Sequence, residues 1–222
     1  PKTKTFEGKE VEFVEVHDEP FHRHAYSNEF AYIYRVNFPP EGFSLWHRHS
    51  EDTFYTSLTD SELINFPHDK PNYVHTISKY DKWWSMCREN HIIHKVCKRE
   101  RCPTPSHFLA IEFLKSPEFF SMQPITDPQL KHNEKFSNER ARIYDLRLEP
   151  SETFEQKLAF TFVILSYDDN NVVSRNDSCA AFADGHLKRC GNFKFIDTEC
   201  EVSIENLGNE ACNFVVVELK KN

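Results

Sequence analysis

The chain has 222 residues, of which 39% are hydrophobic, 14% aromatic and 28% charged, with a formal net charge of −8. This is a globular composition with bulk for one large core or two small ones, and its acidity argues against nucleic acid, whose phosphates need a basic face. No apolar run reaches the roughly 18 residues that a membrane-spanning helix requires.

In chain order, Pro1 to Thr5 carry no apolar stretch of the signal-peptide kind, and Pro1 points to a removed initiator Met or to missing upstream residues. A cytoplasmic location is expected. His22 and His24, in Glu19-Pro20-Phe21-His22-Arg23-His24, form a His-x-His read as a surface or subunit contact. Ala31–Phe38 is the first strand-like segment, short and rich in aromatic and β-branched residues. Next comes Leu45-Trp46-His47-Arg48-His49-Ser50-Glu51-Asp52-Thr53-Phe54-Tyr55. On a strand, residues i and i+2 share a face, so His47 and His49 aim together, with Glu51 and Thr53 beside them if the strand stays regular. Neutral imidazole is the commonest ligand for divalent transition metals.

Further along, His75 is a rival metal ligand, Trp83-Trp84 lines the mouth of the site or packs between barrels, and Glu89–Val96 brings His91 and His94 three residues apart. Lys95, Lys98, Arg99 and Arg101 read as a solvated loop, and His107 opens an apolar strand as a structural residue. The stretch Phe119–Phe136, with Pro124 and Pro128, reads as a connection. Arg142–Leu148, Ala159–Ser166 and Asn213–Leu219 are again strand-like, and Glu201–Glu205 alternates polar and apolar residues. Seven scattered cysteines (87, 97, 102, 179, 190, 200 and 212) form no CxxC pair and read as free thiols of a reducing compartment. Asn176-Asp177-Ser178 matches a glycosylation sequon, a match that arises easily by chance.

The chain repeats itself. Asn28-Glu29, Ile33-Tyr34 and Pro40 recur 110 residues later as Asn138-Glu139, Ile143-Tyr144 and Pro150. The copies also end alike, Phe108–Lys115 matching Phe214–Lys221. Dense short strands without helical alternation indicate an all-β chain of two copies.

With these residues in hand, the chain resembles the cupin superfamily. Gly42, His47 and His49 match its first motif, and Glu89–Val96, with His94 in the ligand position, stands for its second. The likeness spans about residues 30–115 and 138–221, as in a bicupin. It implies two tandem double-stranded β-helix (jelly-roll) barrels, with an N-terminal barrel at 1–118, a connection at 119–137 and a C-terminal barrel at 138–222. The first barrel is expected to hold a divalent metal on His47, His49 and His94, with Thr53, Glu51 and His91 as additional candidates and Thr53 standing where most cupins carry a Glu ligand. Lys157 and Ala159 stand at the His47 and His49 positions of the second copy, and Ser203 or Ile204 near that of His94, so its site is expected to be lost. Glu51, Asp52 and Glu89 are candidate partners for the ligand imidazoles.

A three-histidine site with open positions suits Fe(II) first, with Zn, Ni, Mn and Cu as alternatives. The implied activity is a non-haem iron dioxygenase acting on a small organic substrate. A metal-dependent isomerase or lyase and a non-enzymatic storage or ligand-binding bicupin are the alternatives. No residue is assigned a catalytic role, and a homodimer through edge strands fits the family.

Overall fold

A computed structural model describes residues 2–6, 9–89, 91–99, 104–118, 120–174 and 187–221. Pro1, Arg101, Cys102, Cys179 and the sequon at Asn176–Ser178 lie outside the described residues. The chain divides into two compact units, Pro1–Lys115 and Ser116–Asn222.

The first unit runs β1 (Lys2–Phe6), β2 (Lys9–Glu15), β3 (His22–Ser27), β4 (Ala31–Phe38), β5 (His47–His49), β6 (Thr53–Ser57), β7 (Ser61–Pro67), β8 (Tyr73–Ile77), β9 (Lys82–Ser85), β10 (Ile92–Lys98) and β11 (Ser106–Phe113). A short 3-10 helix, Val16–Asp18, joins β2 to β3. Among the described residues these strands form two sheets, ordered β1-β2-β5-β10-β7-β8 and β3-β4-β11-β6-β9. The second unit runs β12 (Leu130–His132), β13 (Ala141–Leu148), β14 (Thr153–Leu158), β15 (Phe162–Ser166), β16 (Val172–Ser174), β17 (Phe193–Ile196), β18 (Cys200–Asn206) and β19 (Cys212–Leu219). Its sheets are ordered β12-β13-β19-β15-β17 and β14-β18-β16. Each unit is all-β, a jelly-roll pair of sheets, and neither contains an α-helix among the described residues.

The duplication read from the sequence recurs in the hydrogen bonding. β4 pairs with β11 from Ala31↔Phe113 to Phe38↔Ser106, and β13 pairs with β19 from Ala141↔Leu219 to Leu148↔Cys212, without a slip in either ladder. Each ladder is entered through an Asn turn. The Asn28 side-chain oxygen accepts from the amides of Phe30 (2.9 Å) and Ala31 (3.0 Å), and that of Asn138 from Arg140 (2.8 Å) and Ala141 (3.1 Å). The first unit leaves β4 by a tight turn in which the Gly42 amide donates to the Pro39 carbonyl at 3.0 Å. A Cβ on Gly42 would lie 2.8 Å from Pro39 Cδ, so only glycine fits this close approach.

Several expectations change. The Leu45–Tyr55 run is two strands: β5 ends at His49, Ser50–Asp52 turn a corner, and β6 begins at Thr53 in the opposite sheet. The alternation therefore stops at His49, and Glu51 leaves the histidine face. The basic stretch is not a solvated loop: Lys95 and Lys98 lie on β10, Lys98 is buried and Arg99 pairs with Glu62. Cys87, Cys97, Cys190 and Cys212 are free thiols, but Cys200 is disulfide-bonded, so a chain of free thiols throughout is ruled out. The stretch read as a connection belongs to the second unit. There β12 pairs with β13, Leu130 enters the core, and the Arg142 guanidinium donates to the carbonyls of Ser121 and Met122 at 2.9 Å each.

Candidate metal centre

β5 and β10 run antiparallel with His94 directly opposite His47 and Ile92 opposite His49. This register turns all three predicted imidazoles to one side. His47 and His49 are buried and His94 is partly so. The ring centroids lie 4.9 Å (His47–His49), 4.6 Å (His47–His94) and 5.0 Å (His49–His94) apart.

A fourth imidazole joins them. His22, on β3 of the facing sheet, is 7% exposed, and its ring centroid lies 4.7 Å from that of His47 and 5.8 Å from that of His49. Ring nitrogens of His22, His47 and His49 all lie within 4.8 Å of one another, close enough to hold one metal ion. The reading of His22 as a surface contact is therefore overturned, whereas its neighbour His24 is exposed and bonded to the Ser27 hydroxyl. The signal in the sequence was Glu19-x-x-His22, a carboxylate one turn ahead of an imidazole. It was hidden because His22 precedes the repeated segment.

Glu19 orients two of the rings. Its carboxylate, 2% exposed, accepts from His22 Nδ1 at 2.6 Å and from the Phe21 amide at 2.8 Å. The other carboxylate oxygen accepts from the Leu45 amide at 3.2 Å, and the Leu45 carbonyl in turn accepts from His47 Nδ1 at 2.9 Å. A carbonyl only accepts, so Nδ1 of His47 carries the proton and Nε2 is bare. His94 Nε2 lies 3.1 Å from it. Two ligands of one ion, each roughly 2.0–2.1 Å from it, adopt a similar separation. The predicted partners lie elsewhere. Asp52 accepts from the amides of Cys87 (2.9 Å) and Arg88 (3.1 Å), Glu51 offers its carbonyl to the Thr53 hydroxyl at 2.9 Å, and Glu89 is exposed. His91 is exposed and outside the cluster.

The rings are held neutral. Burial, reinforced by the neighbouring imidazoles, pushes His47 and His49 well below the usual histidine range. Burial, with His22 beside it, pushes His94 down to about 3. Neutral imidazoles with bare nitrogens suit a divalent transition metal, so the donor set fits one. Thr53, in the position of the usual carboxylate, lies instead among hydroxyls: it meets Tyr34 and Tyr55, whose own hydroxyls are 3.2 Å apart. The Tyr55 hydroxyl also lies 3.3 Å from His49 Nδ1.

The cluster opens into a cavity of about 210 Å³ that His22, His49 and His94 border on the inside, and Trp83, Tyr73 and His75 farther out. Trp83 stacks on Tyr55 with centroids 5.1 Å apart, and the His75 ring stands edge-on to Trp83 at 5.3 Å. His75 is thus a wall residue, not a member of the cluster.

In the second unit Lys157 and Ala159 are exposed. The inward residues of β14 are Phe154 and Leu158, and those of β18 are Cys200, Val202 and Ile204, all part of one apolar core. Alignment by sequence was one residue out, which on a strand exchanges the two faces.

No family model matches the chain, and no curated protein matches it. Solved structures do. AerE from Microcystis aeruginosa superposes with a TM-score of 0.58 at 9% identity, over 91% of this chain and 99% of that one. Salicylate 1,2-dioxygenase from Pseudoaminobacter salicylatoxidans, as an adduct with gentisate, gives 0.56 at 10%, over 87% and 69%. A cupin 2 conserved barrel domain protein from Leptotrichia buccalis gives 0.52 at 8%, over 92% and 90%. At these identities the likeness establishes the fold alone.

Proposed function

From a chain with the tandem cupin fold, we propose a metal-dependent enzyme, an oxygen-using dioxygenase of small organic molecules, with its single centre in the first unit. The observation that carries this reading is the meeting of four imidazoles beneath a cavity that three of them border, two of the four with Nε2 atoms 3.1 Å apart. His47, His49, His94 and His22 would hold the ion, and Fe(II) is the leading candidate because a small molecule that chelates it leaves room for oxygen. A bound divalent ion supplies a positive centre that gathers and polarises substrate oxygens.

The chain's own residues do the rest. Glu19 fixes the His22 ring directly and the His47 ring through the Leu45 peptide, so neither turns when a ligand arrives. Trp83 and Tyr73 narrow the mouth and keep water from the substrate.

A metal-dependent isomerase or lyase is favoured by one feature, the Tyr55 hydroxyl between His49 and Tyr34. Burial pushes Tyr55 upward, so it keeps its proton and can donate at the cluster. Elemental analysis of protein made without added metal tests the shared premise. About one equivalent supports a centre, and none leaves the storage or ligand-binding reading. Oxygen uptake by the iron form then separates the dioxygenase from the proton-transfer enzyme.

A further inference from the structure

The cavity above the histidines has no charged wall. Among the described residues, no Lys, Arg, Asp or Glu borders it. Its sides are apolar and aromatic, chiefly Phe38, Phe108, Val36, Val96, Leu63 and Trp83. Its volume of about 210 Å³ equals the share of roughly seven water molecules in the liquid, enough for a ligand of about ten non-hydrogen atoms.

Besides its histidines and tyrosines, two uncharged polar side chains, Asn65 and Ser85, interrupt this wall, and Asn65 is the buried one. Asn65 lies on β7 between Val96 of β10 and Tyr73 of β8, and is 6% exposed. It is diagonal to His94, whose side chain shares the face of Val96, a neighbour relation of roughly 7–8 Å between strands. Its backbone is committed to the ladder, but among the described residues its side-chain amide has no hydrogen-bond partner. A buried amide is ordinarily satisfied, so one left open on a cavity wall is free to meet what enters the cavity.

Resting on the reading of the histidines as a metal centre, we infer that the pocket selects a small uncharged molecule with an apolar, planar body, which meets the ion with its oxygens at one end and hydrogen-bonds the Asn65 amide at the other. A carboxylate at that far end would lose its water without gaining a countercharge. Any charge the ligand carries belongs on the oxygens at the ion. The inference sets this pocket apart from one shaped for an aromatic acid with a free carboxylate at the far end.

The test uses the full chain loaded with Zn(II), which does not oxidise the probes, and catechols that share one chelating end. The probes are 4-methylcatechol, 3,4-dihydroxybenzamide and 3,4-dihydroxybenzoate, compared by calorimetric titration. The expected result is that the methyl and amide probes bind at least about tenfold more tightly than the carboxylate, the least that an uncompensated buried charge should cost. The amide should outbind the methyl probe, and Asn65→Leu should abolish that advantage while sparing the methyl probe. Equal or tighter binding of the carboxylate overturns the inference, as does failure of all three catechols to bind zinc-loaded protein. The comparison on the unchanged chain stands even if Asn65→Leu does not fold. Failure of the protein to take up zinc sinks the metal reading instead, and metal analysis before the titration separates the two failures.

Discussion

In the first unit β5 and β10 turn His47, His49, His94 and Val96 toward the interior. In the second, β14 and β18 turn Phe154, Leu158, Val202 and Ile204 the same way. The two units share their long ladders and their Asn turns, yet one interior holds a polar cluster beneath a cavity and the other, among the described residues, an apolar core on the matching strands. Each apolar side chain fully buried contributes about 1.5–3 kcal/mol. Buried imidazoles return nothing comparable without a partner, so the second unit has the composition of a support and the first that of a site.

A buried glutamate makes the same point. Glu112 and Glu218 occupy matching places at the ends of β11 and β19, 1% and 0% exposed. Glu218 is locked between the Tyr144 hydroxyl (2.7 Å) and the Arg142 guanidinium (2.9 Å). Tyr32 stands where the second copy has Arg142, and Glu112 is met instead by His17 at 2.5 Å, a ring stacked on Tyr32 at 3.9 Å and 41% exposed. A fixed cation in one unit is replaced by a titratable ring near the surface in the other.

Four experiments would break or sharpen this contrast. The largest effect is expected for His47→Ala combined with His49→Ala. Metal affinity should fall by more than about 100-fold, the upper range for losing an orienting partner alone, and metal content should drop from about one equivalent toward zero. Metal retained in full would mean that the second unit is not the empty one. Second, Glu218→Ala leaves the Arg142 guanidinium with only the Ser121 and Met122 carbonyls and should cost about 3 kcal/mol in denaturant unfolding, whereas Glu112→Ala should cost clearly less, because His17 reaches water and can shed its proton.

Third, acid should unfold the metal-free first unit before the second. His47, His49 and His94 titrate lower folded than unfolded, so their neutral-form stability is present above about pH 6.5 and is lost as pH falls toward the folded values, about 3 for His94. Trp46, Trp83 and Trp84, the chain's three tryptophans, all lie in the first unit, so their fluorescence reports that unit alone. A fluorescence transition that coincides with circular dichroism would contradict the expected order. The smallest effect belongs to His17. Its hydrogen bond to Glu112 raises its proton affinity, so the pair stabilises fully below about pH 6.5 and fades as pH rises through the higher folded value. Solvent screening holds the loss in His17→Ala to about 1 kcal/mol or less at pH 5.5, with no measurable loss at pH 9.

The two-unit fold was legible because a duplicated chain repeats its turn residues, Asn28 with Asn138 and Pro40 with Pro150, and these carry local hydrogen-bond demands. The convergence of His47, His49 and His94 was legible from strand period and motif, since a cross-strand pair needs only register. His22 was not, because its approach depends on how the opposite sheet packs; the spacing Glu19-x-x-His22 marks a held ring but not where the ring is held. The corner at Ser50–Asp52 was invisible for a related reason: the segment keeps its strand-like composition while it changes sheets. The inward residues of β14 were misread because nothing in that copy marks the frame, and an error of one position exchanges inside and outside.

The displacement of the acid from Thr53 to Glu19 has an electrical consequence. A carboxylate touching an ion cancels part of its charge, but one separated from it by an imidazole ring would leave the proposed ion nearly bare. The balancing anion would then have to come from the guest, which would give up a proton on docking. Uptake of a neutral chelator should accordingly acidify an unbuffered solution by close to one proton for each molecule bound.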